Sequence, residues 1–269
     1  MSSSQTPVPV LPVAPPGAVR DFVGFLDHIR NGRRARGITD PLPSAWLTRP
    51  AFYFANPSAL QHCREGVAIT PGSTQFDFEF EVAVVVAENG IDIAPGEAGA
   101  YIAGYVLYCD WSARDIQIAE KTMGIGLGKA KDGAISLGPS MLSAAEANSR
   151  GIRVPDGLNI TARVEINGRS VVQSSFTGMH WTFEDMIAYA SAGCRLRAGD
   201  LIASGTVPGG CLLELSDRDD FPGWLSPGDV VRVDGGPLGD IVTTISAPPP
   251  EVWRRDGDFT RPMAGSQTP

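Results

Sequence analysis

The stretch FDFEFEVAVVV, residues 76–86, sets three carboxylates, Asp77, Glu79 and Glu81, at the head of a run that reads as a buried strand. Side chains alternate faces along a strand, so Glu79 and Glu81 point the same way, about 6.7 Å apart at Cα, while Phe78, Phe80 and Val82 point oppositely. In water two such charges repel by under ~1 kcal/mol, but burial beside the valines adds roughly several kcal/mol of desolvation per charge. A proton, a basic partner or a cation has to neutralise them. The bland alternative is an edge strand that carries charge against aggregation.

A further acid, Asp110, closes the apolar run in YIAGYVLYCDWSARDIQ, residues 101–117. A strand end holds an acid rigidly while leaving one side open, as a ligand requires; a helix N-cap or a turn residue is the other use. Oxygen donors without matching His or Cys select a hard ion, Mg²⁺, Ca²⁺ or Mn²⁺, rather than zinc. Asp77 points the same way one step earlier and is expected to support the ligands or to be solvated.

Histidine is scarce: His28, His62 and His180. From Ala18 to about Arg36 the pattern is helical, with Val19, Phe22, Leu26 and Ile29 as an apolar stripe and Gly37 as a stop. Asp21 and His28 then project from one flank, about 10.5 Å apart along the axis. That pairs an acid with a candidate base where the helix meets the core, although a single histidine there is more often structural. The basic end, Arg30, Arg33, Arg34 and Arg36, suits a helix C-terminus and reads as a solvated face. His180, in TGMHWTFED, supports the start of the following helix.

GIGLGKAKDG, residues 124–133, has glycines before a lysine but is no phosphate loop. The pattern GxxxxGK[ST] needs Gly where Met123 stands and Ser or Thr where Ala130 stands. Neither GxSxG nor HExxH occurs, which argues against a hydrolase serine and a zincin.

The elements that must position these residues are mostly strands. Apolar or alternating runs cover 79–87, 101–109, 158–166, 169–174, 200–205, 211–215 and 229–234, with turn signals at Asn167-Gly168 and Pro227-Gly228. FEDMIAYASAG, residues 183–193, reads as a helix ending at Gly193. An α+β, mainly β domain is expected rather than a βαβ sheet. The 269 residues, 43% hydrophobic, suffice for one full core, with a Pro-rich arm over 1–17, a single domain over 18–246 and a tail over 247–269. A net charge of −8 disfavours nucleic acid and anionic membrane surfaces as partners. The N-terminus has no basic region before an apolar run, and no stretch reaches the ~18 apolar residues of a membrane helix, so a cytoplasmic protein is expected. Cys63, Cys109, Cys194 and Cys211 form no CxxC pair and read as reduced, mostly core residues.

Taken in order, FDFEFEVAVVV, YIAGYVLYCDWSARDIQ, GLGKAKDGAISLGP, GDLIASGT and CLLELS resemble the fumarylacetoacetate hydrolase family over roughly residues 18–245. The resemblance implies a mixed β-sandwich roll, with a segment 18–70 carrying the site helix ahead of a β-roll core 71–246, and usually a homodimer. It implies a divalent cation, Mg²⁺ or Ca²⁺ with Mn²⁺ as an option, held at Asp21, Glu79, Glu81 and Asp110. RDFVGFLDH resembles the family segment in which an acid precedes a general-base histidine by seven residues, which assigns the base to His28. Glu214, in CLLELS, resembles the carboxylate that orients it. Arg114, Gln117 and Lys129 resemble groups that receive negative charge developing on the substrate, and Tyr53 and Thr206 resemble substrate contacts. The chain departs from the pattern at Val23, where a tyrosine is expected, at Lys121, where an aromatic is expected, and in the short VPGGC after SGT.

What this implies is hydrolysis of a carbon–carbon bond in a small β-diketo acid, acylpyruvate or fumarylacetoacetate-like. His28 would draw a proton from water, and Arg114, Gln117 and Lys129 would meet the oxyanion. Lys121 would offer its charge to a substrate carboxylate. A keto-acid decarboxylase, tautomerase or hydratase, or a non-catalytic dimeric binding protein, are the alternatives.

Overall fold

The computed structural model describes residues 11–250. Fourteen strands occur in this span: β1 Val19–Phe22, β2 Phe52–Ala55, β3 Leu60–His62, β4 Val67–Ala68, β5 Phe76–Val86, β6 Ile102–Ala113, β7 Ile135–Leu137, β8 Leu142–Ser143, β9 Arg153–Val154, β10 Gly157–Ile166, β11 Arg169–Thr177, β12 Leu201–Ala203, β13 Val230–Asp234 and β14 Asp240–Ser246. Four α-helices accompany them: α1 Leu26–Ala35, α2 Arg114–Met123, α3 Ala144–Ser149 and α4 Phe183–Ser191. The larger sheet runs β2-β1-β12-β5-β6-β7-β3, with β8 on β6; the smaller runs β11-β10-β13-β14-β4, with β9 on β10. Both mix parallel and antiparallel pairs, so the mainly β, α+β architecture is as expected.

Strand β5 lies between β12 and β6, and all eleven of its residues are buried. Its even residues, Phe78, Phe80, Val82, Val84 and Val86, join the main core with Trp111, Cys109 and Leu107 of β6. Its odd face begins with the acids and continues as Ala83 and Val85, which pack with Val106, Tyr108, Leu201 and Ala203. A strand covered on both faces, not an edge, therefore carries the carboxylates.

Several expected boundaries move. The helix expected from Ala18 splits, because Val19–Phe22 pairs in parallel with β12 and antiparallel with β2. All four residues are buried, so the segment lacks the alternation that marks a half-exposed strand. The chain passes close to β12 before α1: a Cβ at Gly24 would lie 2.6 Å from the Ser204 carbonyl oxygen, so glycine is needed there. The run 211–215 is no strand; residues 213–215 form a 3₁₀ turn, and the N–H groups of Leu212 and Leu213 at its start donate to the buried Asp77 carboxylate at 2.8 and 3.0 Å. Asp110 lies three residues inside β6 rather than at its end, and the polar stretch that follows is helix α2, stopped at Gly124 in the left-handed region.

Other expectations stand. Asn167 and Gly168, at φ 53° and 78°, form the β10–β11 hairpin turn. Helix α4 starts on a capping box between Thr182 and Asp185. The N–H groups of His180 and Trp181 both donate to the Gly24 carbonyl, tying the start of α4 to the β1–α1 junction. The four cysteines are free, with Cys63, Cys109 and Cys211 buried and Cys194 exposed. Residues 11–17 carry no strand or helix; the rest of the expected arm, and most of the expected tail, lie outside the described residues.

Candidate active site and metal centre

Register places the acids. Across β5 and β6, Glu79 faces Asp110, Glu81 faces Tyr108 and Asp77 faces Ser112. On the other side of β5, Ala83 pairs with Ala203, Ala203 with Asp21, and Asp21 with Tyr53. Cross-strand partners share a face, so one surface of five strands gathers Tyr53, Asp21, Glu81, Glu79 and Asp110. Helices α1 and α2 stand over it, enclosing a cleft of about 540 Å³.

Two cations enter this cluster. Arg114, the first residue of α2, donates Nε to Asp77 Oδ2 at 2.8 Å and places Nη1 2.7 Å from Glu79 Oε1. Lys131 places Nζ 2.5 Å from both Glu79 Oε2 and Asp110 Oδ2, and 2.6 Å from Ser112 Oγ. Lys129, the lysine assigned from the sequence, is not brought into the cleft. Its side chain is 58% exposed and pairs with Asp132, because the loop closes as a 3₁₀ turn over Lys129–Lys131 and turns the later lysine inward.

Five buried acids against two committed cations leave Asp21 and Glu81 without a basic partner. Tyr53 Oη lies 3.0 Å from Asp21 Oδ2 and 2.5 Å from Asp110 Oδ2, and its single hydrogen can serve one at a time. Glu81 receives the Gly205 N–H at 2.9 Å and Thr206 Oγ1 at 3.4 Å. Gly205 is required there: at φ 78° a Cβ would meet the Phe22 carbonyl oxygen at 2.4 Å.

The imbalance shows in the acidities. Burial, and then Asp110, push the Asp21 carboxyl well above the usual carboxylate range; burial and Asp21 do the same to Glu81. Asp110 is pushed up by burial to about 6, against the pull of Lys131. For Glu79 burial opposes the charge, but Arg114 and Lys131 outweigh it and hold the carboxyl well below its usual range.

Carboxylate oxygens of Asp21, Glu81 and Asp110 lie within 4.8 Å of one another, and Asp110 Oδ1 is buried without a hydrogen-bond partner. An all-oxygen trio with excess negative charge and an unused lone pair fits a hard divalent cation. Glu79, also expected as a ligand, adjoins this trio with both oxygens engaged by Arg114 and Lys131. Asp77 is neither a member nor solvated; it is fully buried and anchors Arg114.

His28, on α1, also lines the cleft, although the break after β1 puts it on a different element from Asp21. Its Nδ1 lies 2.7 Å from Glu214 Oε1. The other carboxylate oxygen accepts from Asn31 Nδ2 and from the Gly209 N–H, each at 2.7 Å. A carboxylate only accepts, so this contact places the imidazole hydrogen on Nδ1 and leaves Nε2 as the basic nitrogen. Gln117, Lys121 and Thr206 line the same cleft, as does Val23.

Sequence reasoning missed Lys131 and Arg36. KAKDG offers two lysines, and nothing local says which turns inward. Arg36 was assigned to a solvated face, yet it lines the cleft and its Nη2 donates to Gln117 Oε1 at 3.1 Å. Its spacing of seven from Ile29, two helical turns, was the available signal.

Several known proteins are similar to this chain. Oxaloacetate tautomerase Fahd2a of Rattus norvegicus is 32% identical over 181 residues, which are 67% of this chain and 54% of that protein. Fumarylacetoacetase of Arabidopsis thaliana is 28% identical over 279 residues, 83% of this chain and 66% of the relative. The chain thus spans between about half and two thirds of these curated relatives. Among solved structures, a probable 2-hydroxyhepta-2,4-diene-1,7-dioate isomerase from Mycobacterium abscessus superposes with a TM-score of 0.68 at 25% identity, covering 88% of this chain and 77% of that one. A fumarylpyruvate hydrolase from Pseudomonas aeruginosa, in complex with Mn²⁺ and pyruvate, shares the fold with a TM-score of 0.66 at 19% identity, covering 92% of this chain and all of that one. Residues 17–246 match the family described as fumarylacetoacetate (FAA) hydrolase C-terminal, and the chain belongs to that family.

Proposed function

We propose that the protein is a metal-dependent hydrolase that cleaves a carbon–carbon bond in a small β-diketo acid, acylpyruvate or fumarylacetoacetate-like. The observation that carries this reading is that the His28–Glu214 pair and the Asp21, Glu81, Asp110 trio line one cleft. Bond cleavage by water needs both a base and a sink for negative charge, and this cleft supports both.

A Mg²⁺, Ca²⁺ or Mn²⁺ ion held by the trio, with Glu79 beside it, would supply Lewis acidity toward the keto oxygens of the substrate. His28 takes a proton from water at Nε2, while Glu214 holds Nδ1–H and stabilises the imidazolium. The hydroxide adds to the nearer carbonyl carbon. Arg114 Nη2, buried and without a protein partner, is free to meet the oxyanion. When the carbon–carbon bond breaks, its electron pair passes to the departing enolate, and the proton returns from His28 to carbon. Lys131 keeps Glu79 and Asp110 charged and in place.

The Rattus relative favours a second reading, keto–enol tautomerisation of a keto acid. Proton transfer by the same histidine would suffice, with no hydroxide attack. In either reading the partner is a small keto acid, and a cytoplasmic homodimer is the proposed form. Assaying Mg²⁺-loaded protein with acetylpyruvate for release of two acids separates the readings. His28→Ala is expected to retain metal binding and lose at least ~10²-fold in hydrolysis. Keto–enol exchange without acid release would replace hydrolysis by tautomerisation, and unchanged turnover in the variant would remove His28 from the base's role.

A further inference from the structure

A second cluster of metal-ligating atoms lies apart from the carboxylate trio. A ring nitrogen of His28, Sγ of Cys211 and a carboxylate oxygen of Glu214 lie within 4.8 Å of one another. Glu214 Oε1 joins the other two, 2.7 Å from His28 Nδ1 and 3.6 Å from Cys211 Sγ. Hydrolysis uses the histidine and the glutamate, and it has no role for the thiol.

Cys211 closes the short VPGGC segment, one of the places where the chain departs from the family pattern. It bridges to Glu79 beside β5 and is wholly buried, with its sulfur turned toward Glu214. The same turn orients the carboxylate: the Gly209 N–H and Asn31 Nδ2 occupy Oε2, which leaves Oε1 to face the ring and the sulfur. A thiol is a weak hydrogen-bond donor, so the contact adds little to holding Glu214.

Nitrogen, sulfur and oxygen donors in one cluster select a different ion from the all-oxygen trio. Thiolate and imidazole suit zinc, which takes three such protein ligands in a tetrahedron and leaves the fourth position to water. With Zn–S of about 2.3 Å and Zn–O of about 2.0 Å, a tetrahedral S···O edge is roughly 3.5 Å, close to the separation of Sγ and Oε1. The Nδ1···Oε1 edge has to open by roughly half an ångström, a small rotation of the histidine. His28 lines the cleft, which gives the ion its way in.

We propose that His28, Cys211 and Glu214 form an inhibitory zinc site, separate from the hard-cation site. The ion takes the Nδ1 lone pair, the Cys211 sulfur as thiolate and Glu214 Oε1. The Nδ1 proton passes to Nε2 and the thiol proton leaves to solvent, so one proton is released for each ion bound. Nε2 then carries a hydrogen and has no lone pair for water, and the base is withdrawn while the trio keeps its own ion. The loss of activity rests on the role proposed above for His28; the site itself does not.

The test adds Co²⁺, a coloured stand-in for zinc, to reduced full-length protein held in saturating Mg²⁺. Thiolate ligation gives a near-ultraviolet sulfur-to-cobalt charge-transfer band that the oxygen ligands of the trio do not. The wild type is expected to show this band and Cys211→Ser to lose it, with a cooperative thermal melt as the check that the variant is folded. In acetylpyruvate turnover at the same Mg²⁺, Zn²⁺ is expected to inhibit the wild type, and Cys211→Ser to need at least ~10-fold more of the ion. No band in the wild type, or an equal band in the variant, overturns the site, and neither result needs a substrate. Zinc inhibition that Cys211→Ser leaves unchanged overturns the withdrawal of the base. Absence of turnover before zinc is added counts against the hydrolytic reading alone, with the band still deciding the site.

Discussion

Arg114 donates Nε–H to Asp77 Oδ2 at 2.8 Å, with both side chains almost wholly out of solvent. The same carboxylate accepts the N–H groups of Leu212 and Leu213, which lead directly into Glu214. One acid outside the carboxylate trio thus orients both the guanidinium that faces the cleft and the turn that carries the histidine's partner.

Asp77→Asn keeps the shape and removes the charge. A buried pair broken on one side costs ~3–5 kcal/mol, because the other charge is left uncompensated. Urea unfolding should show a loss of that order. Steady-state kinetics should show kcat falling more than KM, since the cleft lining stays while the alignment of Arg114 and Glu214 suffers. A stable variant with wild-type kcat would show that Asp77 orients neither group.

Glu81 makes a prediction of unusual sign for a buried acid. Its carboxyl lies well above the usual range in the metal-free fold, chiefly through burial. A raised folded-state value means that an ionised Glu81 destabilises the metal-free protein near neutral pH. Glu81→Gln should therefore melt no lower than wild type in chelator, and higher if the penalty dominates. The gain on adding Mg²⁺, about 2.7 kcal/mol at a hundredfold excess over Kd for a working site, should shrink sharply. Thermal melts with and without the ion decide this; an undiminished metal response would sink the metal-site reading.

The two lysines of the KAKDG loop should separate cleanly. Lys129 is exposed beside Asp132, so Lys129→Gln is expected to change stability by no more than ~0.5 kcal/mol and to leave turnover near wild type. Lys131→Gln leaves Glu79 and Asp110 without their shared cation, and activity should fall by roughly 10²-fold or more. Side-by-side purification, melting and turnover check the pair, and the reverse ranking would restore Lys129 to the site.

For pH, the group to follow is Lys121, faced by Arg36 from the end of α1, Arg114 from the start of α2, Lys131 from the following loop and Glu79 from β5. Its charge is present below about 8 and lost above it, because desolvation and the neighbouring cations favour the neutral amine. KM for a keto acid should therefore rise as pH passes through 8, and Lys121→Arg should move that rise out of the accessible range. The folded-state value is lowered, so any stability effect is a deficit while the lysine is charged, relieved as pH rises toward the unfolded value. A flat KM profile between pH 7 and 9 in the wild type, measured with buffers of about equal ionic strength, would remove Lys121 from substrate binding.

Alternation along FDFEFEVAVVV was enough to put Glu79 and Glu81 on one face and the phenylalanines on the other, because the period of a strand is a local property. The Asn167-Gly168 hairpin and the helix beginning at Phe183 were legible for the same reason, being built from neighbours in sequence. Strand β1 was not. Its ladder partners lie some thirty residues away at Tyr53 and far along the chain at Ala203, and burial on both faces erased the pattern that would have announced it. Nor could spacing choose Lys131 over Lys129 or turn Arg36 inward, since each choice depends on which charge stands across the cleft in space. Local periodicity decided which residues could be acids on a strand; the packing of distant segments decided which cations answer them.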